Sequence, residues 1–258
     1  DVLAHLPPVL LARLRVALGQ HHRLLVADGW PTLDLLARRN VVSAVVLDPL
    51  CGDGEGDGVE AVRDFMSRHP SIPVVVYVAL SPTSLRAVVQ LARHGVQTVA
   101  IHQFDDDPRR LRELLERQPG DAVTETLLTE LAEPLGRLSP ALAEAVRSMF
   151  RQPHRVWSAQ DLAMAAGLPR RTMYRQLEVA GFSSPRRLVQ GARVLRAYLY
   201  LRNPGNLVED VVAKLRYGSS HVFIRHTRET CGLTPSALRR GMEEPEFVAL
   251  LTQRLLAG

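Results

Sequence analysis

Short Val-rich runs alternating with helical patterns constrain the first 118 residues more than any other feature of the chain. Apolar runs stand at Leu24–Ala27, Ala44–Leu47, Pro73–Leu80 and Thr98–Ile101, and a first, short one at Asp1–Ala4. AVVL and PVVVYVAL have no polar alternation, so they predict strands buried on both faces. Between the runs, apolar residues recur at helical spacing over about 8–19, 32–39, 58–69, 82–94 and 108–117; Leu85, Val88, Val89, Leu91 and Ala92 are one example. Strand–helix alternation of this kind predicts βαβ units and a parallel sheet with helices on both faces.

After Pro119 and Gly120 the pattern changes. The stretch 124–138 is amphipathic, with Leu127, Leu128 and Leu131 on one side. Such a stripe packs on its own domain or forms a dimer contact. From Ser139 on, the periodicity is helical throughout, broken by Gly and Pro. The charge changes in parallel. Residues 1–135 carry 13 Arg against 18 Asp and Glu, a net −5, and residues 136–258 carry 19 Lys and Arg against 9 acids, a net +10. A basic half behind an acidic one predicts one module that meets a polyanion and one that does not.

The 258 residues suit two domains, and 46% hydrophobic with 23% charged residues argues for folded, soluble structure. No window approaches 18 consecutive apolar residues, so no membrane partner is expected. The start, DVLAHLPPVL, lacks a basic segment before an apolar run and reads as no signal peptide; it begins at Asp1, so residues upstream are expected. Cys51 and Cys231 form no disulfide framework and suit a reducing cytoplasm. The expected location is cytoplasmic.

The basic half contains a helix–turn–helix shape twice. In SAQDLAMAAGLPRRTMYRQLEVAG, Ser158 caps a helix with Leu162, Ala163 and Ala166 inward, Gly167 supplies a tight turn, and a second helix from Arg170 turns Met173 and Leu177 inward. Its outward residues are Arg170, Arg171, Tyr174 and Arg175, side chains suited to phosphates and guanine edges. In NLVEDVVAKLRYGSSHVFIRHTRETCG the turn is read at Tyr217–Gly218, and Ser220, His221, Arg225 and Arg228 face out. The Arg- and Leu-rich helix between, about 185–202, would span about 27 Å at 1.5 Å per residue. That is near the ~34 Å separating successive major grooves on one DNA face. A solvated basic surface is the plainer reading of either helix alone.

Two resemblances follow from these residues. Over about 1–118, HRLLVADGWPTLDLLARR, SAVVLDPL, PVVVYVAL and GVQTVAIHQF resemble, in order, the strands and helices of a response-regulator receiver. The resemblance implies a flavodoxin-like fold with Asp48 in the phosphoacceptor position. It also exposes losses: His5 and Leu6 stand where an acidic pair would hold Mg²⁺, Val78 replaces a hydroxyl residue, and His102 replaces a Lys. Mg²⁺ favours several hard oxygen ligands, and phosphoryl transfer needs that metal and a fixed cation. The domain therefore reads as a degenerate receiver, with Asp48 a leftover carboxylate at a strand end.

Over about 140–241, DLAMAAGLPRRTMYRQL, SPRRLVQGARVLRAYLYL and RYGSSHVFIRHTRETCGLTPSALRR resemble the AraC/XylS-type DNA-binding domain. Tyr217, Phe223, Arg225, Gly232, Pro235 and Arg239 match its C-terminal signature. Arg216 departs from a usual Gly, Thr227 from an aromatic, and the step from Leu177 to Gly181 is one residue short. The resemblance implies base contacts from Arg171, Tyr174 and Arg175 and from Ser220, His221 and Arg225, with Thr172, Ser219 and Arg228 on phosphates.

The expected architecture is an α/β receiver-like parallel sheet over 1–118, a linker with an amphipathic helix over 119–139, and an all-α double helix-turn-helix domain over 140–258. The expected function is a bacterial, sequence-specific, phosphorylation-independent transcription regulator that binds double-stranded DNA as a homodimer. Its N-terminal domain would dimerise, through about 82–101 or 124–135, or receive a small ligand or protein partner. A phosphorylated response regulator and a metal- or ligand-sensing regulator are the alternatives. The second would use the Gly- and Asp-rich loop with Asp53, Glu55 and Asp57 and Asp64 in twelfth place, spaced like a calcium loop; a solvated loop explains the same residues. No catalytic constellation, cofactor or metal site is expected.

Overall fold

The computed structural model describes residues 1–20, 22–52, 58–105, 107–116 and 122–256. The chain divides into two compact units, Asp1–Gln118 with Asn203–Asp210, and Pro119–Arg202 with Val211–Gly258.

The first unit alternates strands and helices: β1 (Val2–His5), α1 (Pro8–Leu18), β2 (Leu24–Val26), α2 (Trp30–Arg39), β3 (Ala44–Leu47), α3 (Gly58–Arg68), β4 (Val74–Val78), α4 (Pro82–Arg93), β5 (Thr98–Ile101) and α5 (Pro108–Glu116). All pairings are parallel, in the order β2-β1-β3-β4-β5. This is the flavodoxin-like order, with its switch point between β1 and β3. β1, β3 and β4 are buried along their whole length, which explains their unbroken apolar sequence. Alternate residues feed two cores. Val45, Leu47, Val76 and Val78 join Leu33, Phe65 and Leu91 on one face. Ala44, Val46, Val75 and Tyr77 join Leu10, Leu14 and Leu111 on the other. Ser81 starts α4 with a reciprocal capping box to Ser84. Asn203 joins this unit by donating to Ser71 Oγ at 2.7 Å and accepting from the Ser71 amide at 3.1 Å.

The second unit is helical: α6 (Ala122–Glu130), α7 (Ala132–Gly136), α8 (Pro140–Arg151), a short 3-10 turn at Pro153–Arg155, α9 (Ala159–Ala165), α10 (Arg170–Val179), α11 (Pro185–Leu201), α12 (Val208–Lys214) from Val211 on, α13 (Ser220–Cys231), α14 (Pro235–Gly241) and α15 (Glu244–Leu255). α11 is its axle, packing against α8, α9, α13, α14 and α15. Tyr198 of α11 stacks on Phe247 of α15 with centroids 3.9 Å apart. Gly191 lets those helices approach closely: a Cβ there would lie 2.6 Å from Leu255 Cδ2, so that side chain would have to move. The amphipathic stretch read as part of a linker packs inside this unit. Leu127, Leu128 and Leu131 are buried, with α6 against α8 and α15, so this stripe is already covered.

Candidate nucleic-acid interface

The first helix–turn–helix is encoded locally. Ser158 Oγ accepts from the Asp161 amide at 3.2 Å, and Asp161 accepts from the amides of Trp157 and Ser158, each at 2.9 Å. This box satisfies amides that the start of α9 leaves open. Gly167 then takes φ 63°, the left-handed conformation glycine adopts without a Cβ clash. α10 follows from Arg170, pinned by buried Met173 and Leu177. The periodicity places Arg170, Arg171, Tyr174 and Arg175 on the exposed side, with Thr172 half-buried. The Arg170 guanidinium carbon is 6.0 Å from the Tyr174 ring centroid. Among the described residues, no carboxylate lies within ion-pair distance of Arg170, Arg171 or Arg175.

The second motif is built differently. Its turn falls at Arg216, which takes φ 49°, rather than at Tyr217–Gly218. A left-handed non-glycine residue carries about 1–2 kcal/mol of strain. Ser219 Oγ caps α13, accepting from the Val222 amide at 3.3 Å. Phe223 and Thr227 are fully buried beneath the helix, so the Thr that replaces an aromatic still faces the core. His221, Arg225 and Arg228 are exposed and Ser220 is half-buried. Gly232 ends the helix at φ 73°. Arg225 Nε lies 3.8 Å from Glu229 Oε1 one turn on. That pairing was missed from the sequence, although the i,i+4 spacing announces it. His226 lies under the same helix, and burial, then Arg193, hold its imidazole below its ordinary pKa; Arg225 and Arg186 act the same way against Glu229. Burial pushes the Cys231 thiol up to about 12.

In the first unit, Asp48, Val78 and His102 all stand at the carboxyl edge of the sheet, after β3, at the end of β4 and after β5. Asp48 is 6% exposed, and its Oδ1 accepts from the Leu50 amide at 2.8 Å. Burial raises its pKa, with the Leu50 amide and His5 pulling the other way. His5 is 2% exposed, edge-on to Trp30, with Nδ1 3.1 Å from the Ala27 carbonyl. Asp28 is exposed, and its carboxyl is lowered chiefly by a hydrogen bond from Thr32. Asp53, Glu55 and Asp57 lie outside the described residues. Among those described, no cluster of three or more His, Cys, Asp or Glu side chains could hold a metal ion, and no helix is long and apolar enough to cross a membrane.

Residues 162–241 match a family of helix-turn-helix domains. The matched span runs from within α9 to the end of α14 and so takes in both motifs. Such a domain points to a DNA-binding transcription regulator. A comparison with curated proteins finds no match. Among solved structures, the chain is similar to RcsB from Salmonella enterica serovar Typhimurium bound to the rprA promoter, at 19% identity over 69% of this chain and 88% of that one, with a TM-score of 0.36. Full-length FixJ from B. japonicum is 16% identical over 88% of this chain and 95% of its own, with a TM-score of 0.36. A structure of two RcsB dimers bound to two parallel DNAs is 21% identical over 69% and 87%, with a TM-score of 0.35.

Proposed function

We propose that the chain is a sequence-specific transcription regulator of the AraC/XylS type, acting without phosphorylation. The observation that carries this reading is the pair of outward basic helices, α10 and α13, in a unit organised around one 17-residue helix, α11. At 1.5 Å per residue α11 is about 26 Å long, suited to presenting two different helices to neighbouring major grooves. Arg171, Tyr174 and Arg175 read bases from α10, and Ser220, His221 and Arg225 read them from α13. Arg170, Thr172, Ser219 and Arg228 meet phosphates. The helical unit that begins at Pro119 carries the DNA-binding domain, the receiver-like domain of 1–118 precedes it, and the protein works in the cytoplasm.

Phosphorylation independence rests on the edge of the sheet. A Mg²⁺ site needs several oxygens. His5 and Leu6 put a buried imidazole and a buried apolar side chain where the acidic pair would stand, so these residues do not fit that ion. Asp48 at the end of β3 favours the rival reading, a phosphorylated regulator. An acyl phosphate with Mg²⁺ should leave the protein's mass unchanged; a phosphate adduct abolished by Asp48→Ala would support the rival instead.

The receiver-like domain dimerises. Leu85 and Val89 are exposed on α4, with Leu80 exposed just before it. Leu85→Glu with Val89→Glu should convert a sedimenting dimer into a monomer. A dimer that survives both changes would leave this domain as a receptor for a small ligand or protein. The primary test is selection of bound duplex from a random pool, followed by footprinting. An asymmetric site of about two helical turns is expected. Arg175→Ala should cost about 1–3 kcal/mol and relax specificity in one half. Arg175→Ala and Arg225→Ala both binding like wild type would end the reading.

A further inference from the structure

Arg193 stands midway along α11, half-buried, and touches both helix-turn-helix motifs. Its guanidinium carbon lies 4.1 Å from the Tyr217 ring centroid and 5.2 Å from that of Trp157. Its Nη2 donates to the Leu215 carbonyl at 2.8 Å. Trp157 immediately precedes the cap of α9, and its amide is held by the Asp161 carboxylate that closes the capping box. Leu215 and Tyr217 flank Arg216 in the turn of the second motif. A single planar cation therefore contacts the entry of one motif and the turn of the other, from the helix that joins them.

Both contacts lead on to recognition helices. Tyr217 packs against Phe223, the fully buried anchor of α13, with centroids 5.0 Å apart, and meets His226 edge-on at 5.5 Å. Trp157 is fixed to α9, which packs against α10. Arg216 adds a second guanidinium, 5.8 Å from the Trp157 ring. Arg suits this place and Lys does not. A flat guanidinium can face an aromatic ring while donating in its own plane, whereas an ammonium is a strongly hydrated point charge.

We infer that Arg193 is a positioning residue that fixes the separation and twist between α10 and α13, and so sets the spacing of the two half-sites on DNA. The inference rests on the DNA-binding reading above. One base pair advances the duplex by about 3.4 Å and rotates it by roughly 35°. A rigid pair of helices accepts one spacing, and a loosened pair tolerates its neighbours.

The test is Arg193→Lys in the full chain, measured on the selected site and on versions with one base pair inserted or removed between its halves. Wild type should lose about tenfold on either altered spacing. The variant should bind the optimal site a few-fold more weakly and lose no more than about twofold on changing the spacing. Trp157→Leu should behave in the same way. The ratio across spacings is unaffected by the fraction of active protein, so a merely destabilised variant keeps the wild-type ratio. A variant that loses the same factor at every spacing overturns the inference alone. Wild type that selects no duplex overturns the DNA-binding reading, and this inference with it.

Discussion

The two helix–turn–helix motifs reach the same shape by different means. The first carries its instructions in adjacent residues: a Ser158–Asp161 capping box, Gly167 at a left-handed φ, and Met173 and Leu177 inward. The second places Arg216 in the left-handed position and holds its turn from outside, through the Arg193 hydrogen bond to Leu215 and the rings around Tyr217. The first motif is thus specified by local propensity, and the second by tertiary contacts that outweigh a local penalty.

The largest effect should come from the anchor of the second motif. Phe223→Ala should destabilise the protein by about 3–5 kcal/mol in urea unfolding. It should exceed Met173→Ala, because Tyr217 loses its support as well; equal losses would break the distinction between the motifs. The turns should then respond with opposite signs. Gly167→Ala introduces strain of about 1–2 kcal/mol. Arg216→Gly relieves similar strain, but the freer unfolded chain offsets part of it, leaving a gain below about 1 kcal/mol. A destabilising Arg216→Gly would mean that its stacking over Trp157 outweighs the backbone term.

A smaller difference concerns charge. Arg225 is paired with Glu229 across 3.8 Å, while Arg175 has no such partner among the described residues. Exposed pairs of this type contribute about 0.3–0.5 kcal/mol. Glu229→Gln should therefore tighten DNA binding by about twofold at low salt, and less at high salt. The smallest effect should be the pH dependence that His226 gives the second motif. The folded state holds His226 below its ordinary value of 6.5. The stability this neutral imidazole contributes is present above that value, and it is lost as pH falls from 6.5 through the lower folded pKa. Melting temperature should fall on acidification across this window, and His226→Gln should flatten the part of the slope due to this group.

What the sequence revealed follows the same division. The parallel sheet was legible because β3 and β4 are buried on both faces, so their burial is written as unbroken Val runs. The outward residues of α10 and α13 were legible because helical periodicity alone separates Met173 and Leu177 from Arg171 and Arg175, and Phe223 from Arg225. The turn at Arg216 was misplaced to Tyr217–Gly218, since nothing local favours an arginine there. The clamp on Arg193 left no trace either. Its ring partners lie 36 positions before it and 24 after it in sequence, and such contacts have no period. Leu127 and its neighbours read correctly as a stripe, but the stripe could not name α8 and α15 as what covers it.

The burial of Cys231 has a practical consequence. With its thiol pushed up to about 12, on the order of one molecule in 10⁵ carries a thiolate there at neutral pH. Cys51 is half-buried, in the other unit. A maleimide dye added to the native protein should therefore enter at Cys51 and leave Cys231 unlabelled. The unmodified chain thus offers one optical handle, on the receiver-like unit, with no cysteine to remove from the DNA-binding one.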